Sequence, residues 1–338
     1  MKIFYRPIAQ TDALRPAGAL PLAGGWCWFT HAEALTRAGS QGLVPASDIP
    51  PELLERLTAP RPALAGVGFD RPSVMGILNV TPDSFSDGGR FDAPEAALAQ
   101  AQALAAAGAD ILDIGGESTR PGAAEVPVAE EISRTAPVIA ALRAQGFARP
   151  VSIDTRKAPV AAAAVAAGAG LVNDVSAMLF DPAMAATVAG SGAALCLMHA
   201  QGTPATMQAE PRYDDVLLDV YDHLEARLLA AEAAGIDRAR VLLDPGIGFG
   251  KTVAHNLALL RGLSLFHGLG CPILLGVSRK RFIGTIAGVD QADARAPGTL
   301  SVTLAGLMQG VQMHRVHDVA EIAQGIRLFD AITRGYTP

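Results

Sequence analysis

Polar side chains close a series of short apolar runs in this chain, and their types set the chemistry to look for. Asp154 follows Val151-Ser152-Ile153, Asn173 and Asp174 follow Leu171-Val172, and Asp244 follows Val241-Leu242-Leu243. Asn79, Asp113 with Glu117, His199 after Met198, the run Ser278-Arg279-Lys280, and Arg315 with His317 close runs of their own. A lone aspartate after a strand is more often a helix N-cap than a catalyst, and Asp174 and Asp318 satisfy that reading. Capping alone would be met by serine and threonine too. Carboxylates, carboxamides and cations at eight such positions suit two differently charged ligands that meet in one place.

The elements that must carry these residues follow from the alternation around them. From about residue 73, apolar runs at 74–79, 110–115, 150–154, 170–174, 194–199, 240–244, 272–277 and 312–317 read as strands. Between them lie helical stretches near 94–108, 128–145, 157–168, 181–190, 214–235, 253–263, 280–287 with 297–310, and 318–334. Eight strand–helix units over roughly 260 residues match a (β/α)₈ TIM barrel in size, with an open doubly wound sheet as the alternative. Barrel enzymes place their chemistry at the C-terminal ends of the strands, where the polar residues fall. Strand periodicity adds direction: Leu242 and Asp244, Ser152 and Asp154, Leu171 and Asn173, and Met313, Arg315 and His317 each share a face. The apolar member fills the barrel and the polar member rims its mouth.

Residues 1–70 do not fit this repeat and read as an appended folded segment before a barrel spanning 71–338. The segment holds Trp26 and Trp28, too much apolar surface for a disordered tail. Its role has no signal in the sequence.

Composition excludes several classes. The chain has 338 residues, half of them apolar, and a net charge of −6 from 27 basic and 33 acidic residues that are dispersed along it. No basic stripe marks a nucleic-acid or anionic-membrane partner, and no signal-peptide or membrane-spanning run develops. Cys27, Cys196 and Cys271 are odd in number, far apart and outside any CxxC pair, which points to free thiols in a reducing, cytoplasmic setting. Glycine-rich loops follow the first, second and sixth strands at Asp87-Gly88-Gly89, Gly115 to Ala123 and Asp244 to Thr252. Gly250-Lys251-Thr252 looks like the end of a phosphate-binding P-loop, but Pro245 occupies the glycine position that must supply an N–H. Lys251 then reads as a solvated lysine at a helix start, Glu117 as a residue orienting its loop, and His199 as a hydrogen-bonding strand end without a second histidine at metal-ligand spacing.

The ordered set Asn79-Val80-Thr81-Pro82-Asp83-Ser84-Phe85-Ser86-Asp87-Gly88-Gly89, Gly115 to Ala123, Ser152-Ile153-Asp154-Thr155 and Asn173-Asp174-Val175 resembles the dihydropteroate synthases. So do Leu197-Met198-His199, Asp244 to Lys251, Ser278-Arg279-Lys280 and Arg315 to Val319, and the likeness covers residues 74–330. It implies condensation of a dihydropterin pyrophosphate with p-aminobenzoate in folate biosynthesis. By that resemblance Asp244, Asp154 and Asn173 bind the pterin edge, Lys280 its carbonyl and ring-nitrogen side, and Met198 packs on the ring. Ser278 lines the same pocket. Arg315 and His317 receive the pyrophosphate, and Asn79 contacts a Mg²⁺ bound to the phosphates. Phe85, Thr119, Arg120, Pro121 and Phe249 surround the aminobenzoate. Lys280, Arg315, His317 and Asp154 form the catalytic set. Many relatives have serine after Ser-Arg-Lys, where this chain has Arg281, so either backbone N–H groups at that helix start or the guanidinium itself takes the aminobenzoate carboxylate. A homodimer and inhibition by sulfonamides are implied as well. A folate-dependent methyltransferase of the same barrel type and a non-catalytic paralogue are the competing readings.

Overall fold

The computed structural model describes residues 2–81, 93–118, 124–202, 207 and 210–335. The chain opens with strands β1 (Phe4–Pro7), β2 (Leu20–Pro21), β3 (Trp28–Phe29), β4 (His31–Thr36) and β5 (Gly39–Pro45), then helix α1 (Pro51–Thr58). The repeat follows as β6 (Ser73–Asn79), α2 (Ala93–Ala107), β7 (Ile111–Gly115), α3 (Val128–Ala144), β8 (Val151–Asp154), α4 (Ala158–Ala166), β9 (Leu171–Asp174) and α5 (Met184–Ser191). It continues with β10 (Ala194–Met198), α6 (Val216–Ala233), β11 (Val241–Asp244), α7 (Val253–Arg261), β12 (Leu274–Leu275), α8 (Arg281–Ala287), α9 (Ala296–Leu307), β13 (Met313–Val316) and α10 (Val319–Arg334).

Strands β6 to β13 form one parallel sheet in the order β11-β10-β9-β8-β7-β6-β13-β12. A parallel bridge between Leu243 and Ile273 joins β11 to β12 and closes the ring. The structure is therefore the barrel, and the open-sheet alternative falls. Each strand is buried on both faces, which is why it reads as an apolar run. The helices between them are alanine-rich, with high intrinsic propensity. Local signals set their starts: Asp215 accepts the N–H groups of Leu217 and Leu218 at the head of α6, and Thr252 and His255 form a capping box on α7.

Inside the ring, Met75, Ile111, Leu171, Ala194, Cys196, Leu242, Leu274 and Met313 pack together as the lower core. Residues Leu64, Val67 and Phe69 join that cluster from outside the repeat, because a tight turn bridging Leu64 and Val67 pushes them into the barrel's N-terminal end. Burying each of these side chains contributes about 1.5–3 kcal/mol. The strands β1, β4 and β5 form an antiparallel sheet beside this end. Ser264 Oγ donates to the Pro7 carbonyl at 2.8 Å, Trp26 Nε1 to the Leu307 carbonyl at 2.8 Å, and an Arg61 amino group to the His267 carbonyl at 3.0 Å. These anchors lie on the chain entering β12 and β13, whereas Arg37 pairs with Asp219 and Asp222, and Lys2 with Asp222 and Glu225, on α6, so residues 1–70 pack both at the N-terminal end of the barrel and along its flank.

Candidate active site

The period of two along each strand, with the apolar residue low and the polar residue high, delivers a group of charges to the barrel mouth. Arg315 on β13 donates from Nε to Asp113 Oδ2 on β7 at 2.5 Å and from Nη2 to Asp154 Oδ2 on β8 at 2.7 Å. Asn173 on β9 donates from Nδ2 to the same Asp113 oxygen at 3.0 Å. The other carboxylate oxygens, Asp113 Oδ1 and Asp154 Oδ1, are buried and have no partner among the described residues. Buried acceptors are nearly always satisfied, so two orphaned oxygens mark a place where a ligand's donors fit. Burial raises the Asp154 carboxyl against the downward pull of Arg315, and Asp113 beside it adds to the rise. For Arg315, burial disfavours the charge, but Asp113 and Asp154 outweigh it and hold the guanidinium charged.

A second group stands on the neighbouring part of the rim. Asp244 ends β11, accepts the Gly246 N–H on Oδ1 at 2.7 Å, and has its carboxyl raised by burial against that bond and the nearby Lys280, Lys251 and Arg315. Lys280 reaches across from the end of the β12 loop, donates to the Ile247 carbonyl, and lies 4.0 Å from the centroid of the Phe249 ring. Burial pushes its ammonium down to about 7, against the favourable charges of Asp244 and Asp154 and with the repulsion of Arg315. These mutual influences place Asp154, Asp244, Lys280 and Arg315 within one electrostatic site. Gly248 is needed for this approach: its φ is +84°, and a Cβ there would come within 2.8 Å of Lys280 Cδ.

Ser278 and His317 form a third contact. Ser278 Oγ accepts the His317 backbone N–H at 3.0 Å and lies 3.0 Å from His317 Nδ1. Between Ser278 and Lys280, Arg279 adopts a left-handed φ of +59°. That conformation is strained for a side chain with a Cβ and is held by several bonds. Thr299 Oγ1 accepts the Arg279 N–H, Asp318 pairs with its guanidinium, and Arg295 donates to its carbonyl. Asp318, expected only as a helix cap, makes no side-chain cap bond and serves this pair instead. Asp174 does cap its turn, accepting from the Ser176 and Met178 N–H groups.

Asn79 ends β6 half-buried, and both its Oδ1 and Asp154 Oδ2 lie within 4 Å of where a Gly115 Cβ would stand. Met198 is buried at the end of β10 against Gly246. Phe85, Thr119, Arg120 and Pro121 lie outside the described residues. Among the described residues, no cluster of three His, Cys, Asp or Glu side chains could hold a metal ion.

Comparison with known proteins places this geometry. The family model described as pterin binding enzyme matches residues 75–317. A dihydropteroate synthase of Escherichia coli strain K12 is 45% identical over 263 residues, covering 78% of this chain and 92% of its own length. The chain belongs to the dihydropteroate synthase family of pterin-binding enzymes. Its activity is that of a dihydropteroate synthase, a transferase. Among solved structures, the Xanthomonas albilineans dihydropteroate synthase with 4-aminobenzoic acid superposes with a TM-score of 0.76 at 48% identity, covering 82% of this chain and 99% of that one. The same enzyme in complex with 7,8-dihydropteroate gives a TM-score of 0.74 at 45% identity, with 82% and 100% coverage.

Two features of this synthase escape a reading of its sequence. Asp113 is visible as a polar strand end, with Ile111 and Asp113 spaced like Ser152 and Asp154, yet its place between Arg315 and Asn173 depends on strands far apart in the chain. Lys251 is not solvated, as its position at a helix start suggests, but 3% exposed and surrounded by backbone carbonyls. Glu117 does orient its loop: it accepts the Val126 N–H at 2.7 Å and pairs with Lys157 and Arg156, while Lys157 also holds Glu131.

Proposed function

We propose that the mouth of the barrel binds a dihydropterin pyrophosphate with its ring edge on the buried carboxylates and joins it there to p-aminobenzoate. The observation that carries these assignments is the pair of orphaned oxygens on Asp113 and Asp154, in the same site as Asp244, Lys280 and Arg315. An aminopyrimidine edge offers adjacent N–H donors, and buried carboxylates are their natural acceptors. Asp244 and Asp154 take those donors, with Asn173 beside them. Lys280, held over the Phe249 ring, donates to the carbonyl side, and Met198 packs against the ring.

The bond from the methylene carbon to the pyrophosphate oxygen breaks with its electron pair leaving on the pyrophosphate, and the electron-rich ring stabilises the cation that remains. The aromatic amine attacks that carbon and needs no prior activation. His317, tied to Ser278, stabilises the departing anion at the rim, and Arg315 adds its field from between the two aspartates. Catalysis then consists of positioning, charge stabilisation and exclusion of water. Asn79 offers a hard carboxamide oxygen at this rim, which fits Mg²⁺ held mostly by phosphate and water. When bound, the ion would supply positive charge to the leaving pyrophosphate. Phe249 lines the aminobenzoate pocket, to which the family resemblance also assigns Phe85, Thr119, Arg120 and Pro121. Arg281, exposed at the first position of α8, leaves the N–H groups of that helix start and its own guanidinium as partners for the carboxylate.

A homodimer is supported by the exposed Leu328 and Ile332 on α10 and Met308 at the end of α9. A cytoplasmic location is supported by the free, buried Cys27, Cys196 and Cys271. Residues 1–70 are read as an appended unit that carries no catalytic group. The test is a reaction of the purified protein with Mg²⁺, dihydropterin pyrophosphate and p-aminobenzoate, followed by detection of dihydropteroate and pyrophosphate. A folded sample without turnover would reject the assignment.

A further inference from the structure

Lys251 is almost wholly buried, yet the reaction as derived above gives it nothing to do. Its ammonium lies behind the rim, between the chain leaving β10 and the loop that follows β11. Lys251 Nζ stands 2.8 Å from the Gly246 carbonyl, 3.0 Å from the Phe249 carbonyl and 2.9 Å from His199 Nδ1, with the His199 carbonyl at 3.4 Å. Burial drives the Lys251 charge well below the usual lysine range, yet even the neutral amine keeps two N–H donors, enough for the Gly246 and Phe249 carbonyls. Burial holds His199 neutral, down to about 2, and its Nδ1 shares a hydrogen bond with Lys251 Nζ.

The loop gathered in this way is the one that faces the substrates. It begins at Gly246, whose N–H holds Asp244 and whose φ is +67°. A Cβ on Gly246 would lie 1.8 Å from the His199 carbonyl, so the loop is pressed against β10 as closely as backbone allows. It continues through the Ile247 carbonyl that receives Lys280 and ends in Phe249, whose ring lies beside the Lys280 ammonium.

We propose that Lys251 is a positioning residue for the condensation: by tying the Gly246 and Phe249 carbonyls to His199, it fixes the height and tilt of the Phe249 ring under the incoming aromatic amine. It acts through the loop and touches neither substrate. The inference rests on the placement of Phe249 in the aminobenzoate pocket made above, and its test separates the two.

Steady-state kinetics and calorimetric binding are measured for the full chain, Lys251→Met, Phe249→Leu and the double variant. Lys251→Met is expected to raise the KM for p-aminobenzoate about tenfold while the affinity for dihydropterin pyrophosphate changes less than about threefold. In the Phe249→Leu background the same change should add less than about twofold, because the ring it positions is gone. A merely structural lysine would lower thermal stability and multiply the two KM effects. Multiplicative effects, or a folded Lys251→Met with wild-type KM, overturn the inference and leave the synthase activity standing. An unchanged KM in Phe249→Leu instead removes Phe249 from the pocket and withdraws the reading beneath. Should Lys251→Met not fold, Lys251→Gln, which keeps an N–H donor, carries the same cycle with the same criteria.

Discussion

Lys280 shows how a residue's environment decides its chemistry. A lysine in water keeps its charge well above neutrality, but burial, helped by Arg315 and opposed by Asp244 and Asp154, brings this one down to about 7 in the free protein. The sign follows: the charged form is present below about pH 7 and lost as pH rises through it. Affinity of the free protein for a pterin carbonyl should therefore fall on the alkaline side of pH 7, measured by titration calorimetry across pH. Lys280→Arg should remove that alkaline limb, since a guanidinium stays protonated, whereas an unchanged limb would assign it to another group. Asp244→Ala is expected to weaken pterin binding by about 1–3 kcal/mol or more, because ligand donors are left unpaired; near-normal affinity would show that a different carboxylate leads. Arg315 is less simple to test. Its removal would strip Asp113 and Asp154 of their shared guanidinium partner, so Arg315→Ala should injure pterin binding along with any effect on the leaving group. His317→Ala is the cleaner probe of pyrophosphate stabilisation.

The elements explain why these residues meet. Each inward face alternates an apolar residue below with a polar one above, so closing the ring stacks a dry layer under a charged one. The dry layer is completed by a turn that no strand pattern announces. Phe69, 4% exposed, enters the lower core with Leu64 and Val67. Phe69→Ala should cost about 3–5 kcal/mol in denaturant unfolding, and a smaller loss would mean that the barrel's lower end collapses around the gap. The last unit departs from the simple repeat, with α8 and α9 both between β12 and β13, and β12 only two residues long. That short strand lets Ser278, Arg279 and Lys280 turn early into the mouth, with Arg279 strained between them.

At the scale of the molecule, chemistry and support sit on different parts of the surface. The rim carries the active-site charges, and residues 1–70 pack on the far end through Trp26, Arg61 and the Ser264–Pro7 bond and along α6 through Lys2 and Arg37. Phe4, Leu22, Trp26 and Phe29 belong to the same buried cluster as the barrel helices. One cooperative unit is expected, so scanning calorimetry should show a single transition with matching calorimetric and van't Hoff enthalpies. Two resolved transitions would mean that the N-terminal segment unfolds alone.

Sequence by itself determined the eight units, the face on which each polar residue lies, and the family, because strand period, helix propensity and ordered motifs are local properties. Asp154, Asn173, Asp244, Arg315 and His317 were legible from their positions at strand ends, and Lys280 from the run Ser278-Arg279-Lys280, which the structure places beyond the short β12. Only the tertiary structure decided which of them touch. Asp113 became the partner of Arg315 across 202 positions, Lys251 met His199 across 52, and Leu64 to Phe69 became the floor of the barrel. Local pattern sets which way a side chain points, whereas its partners and its charge depend on burial and neighbours that exist only once the ring has closed.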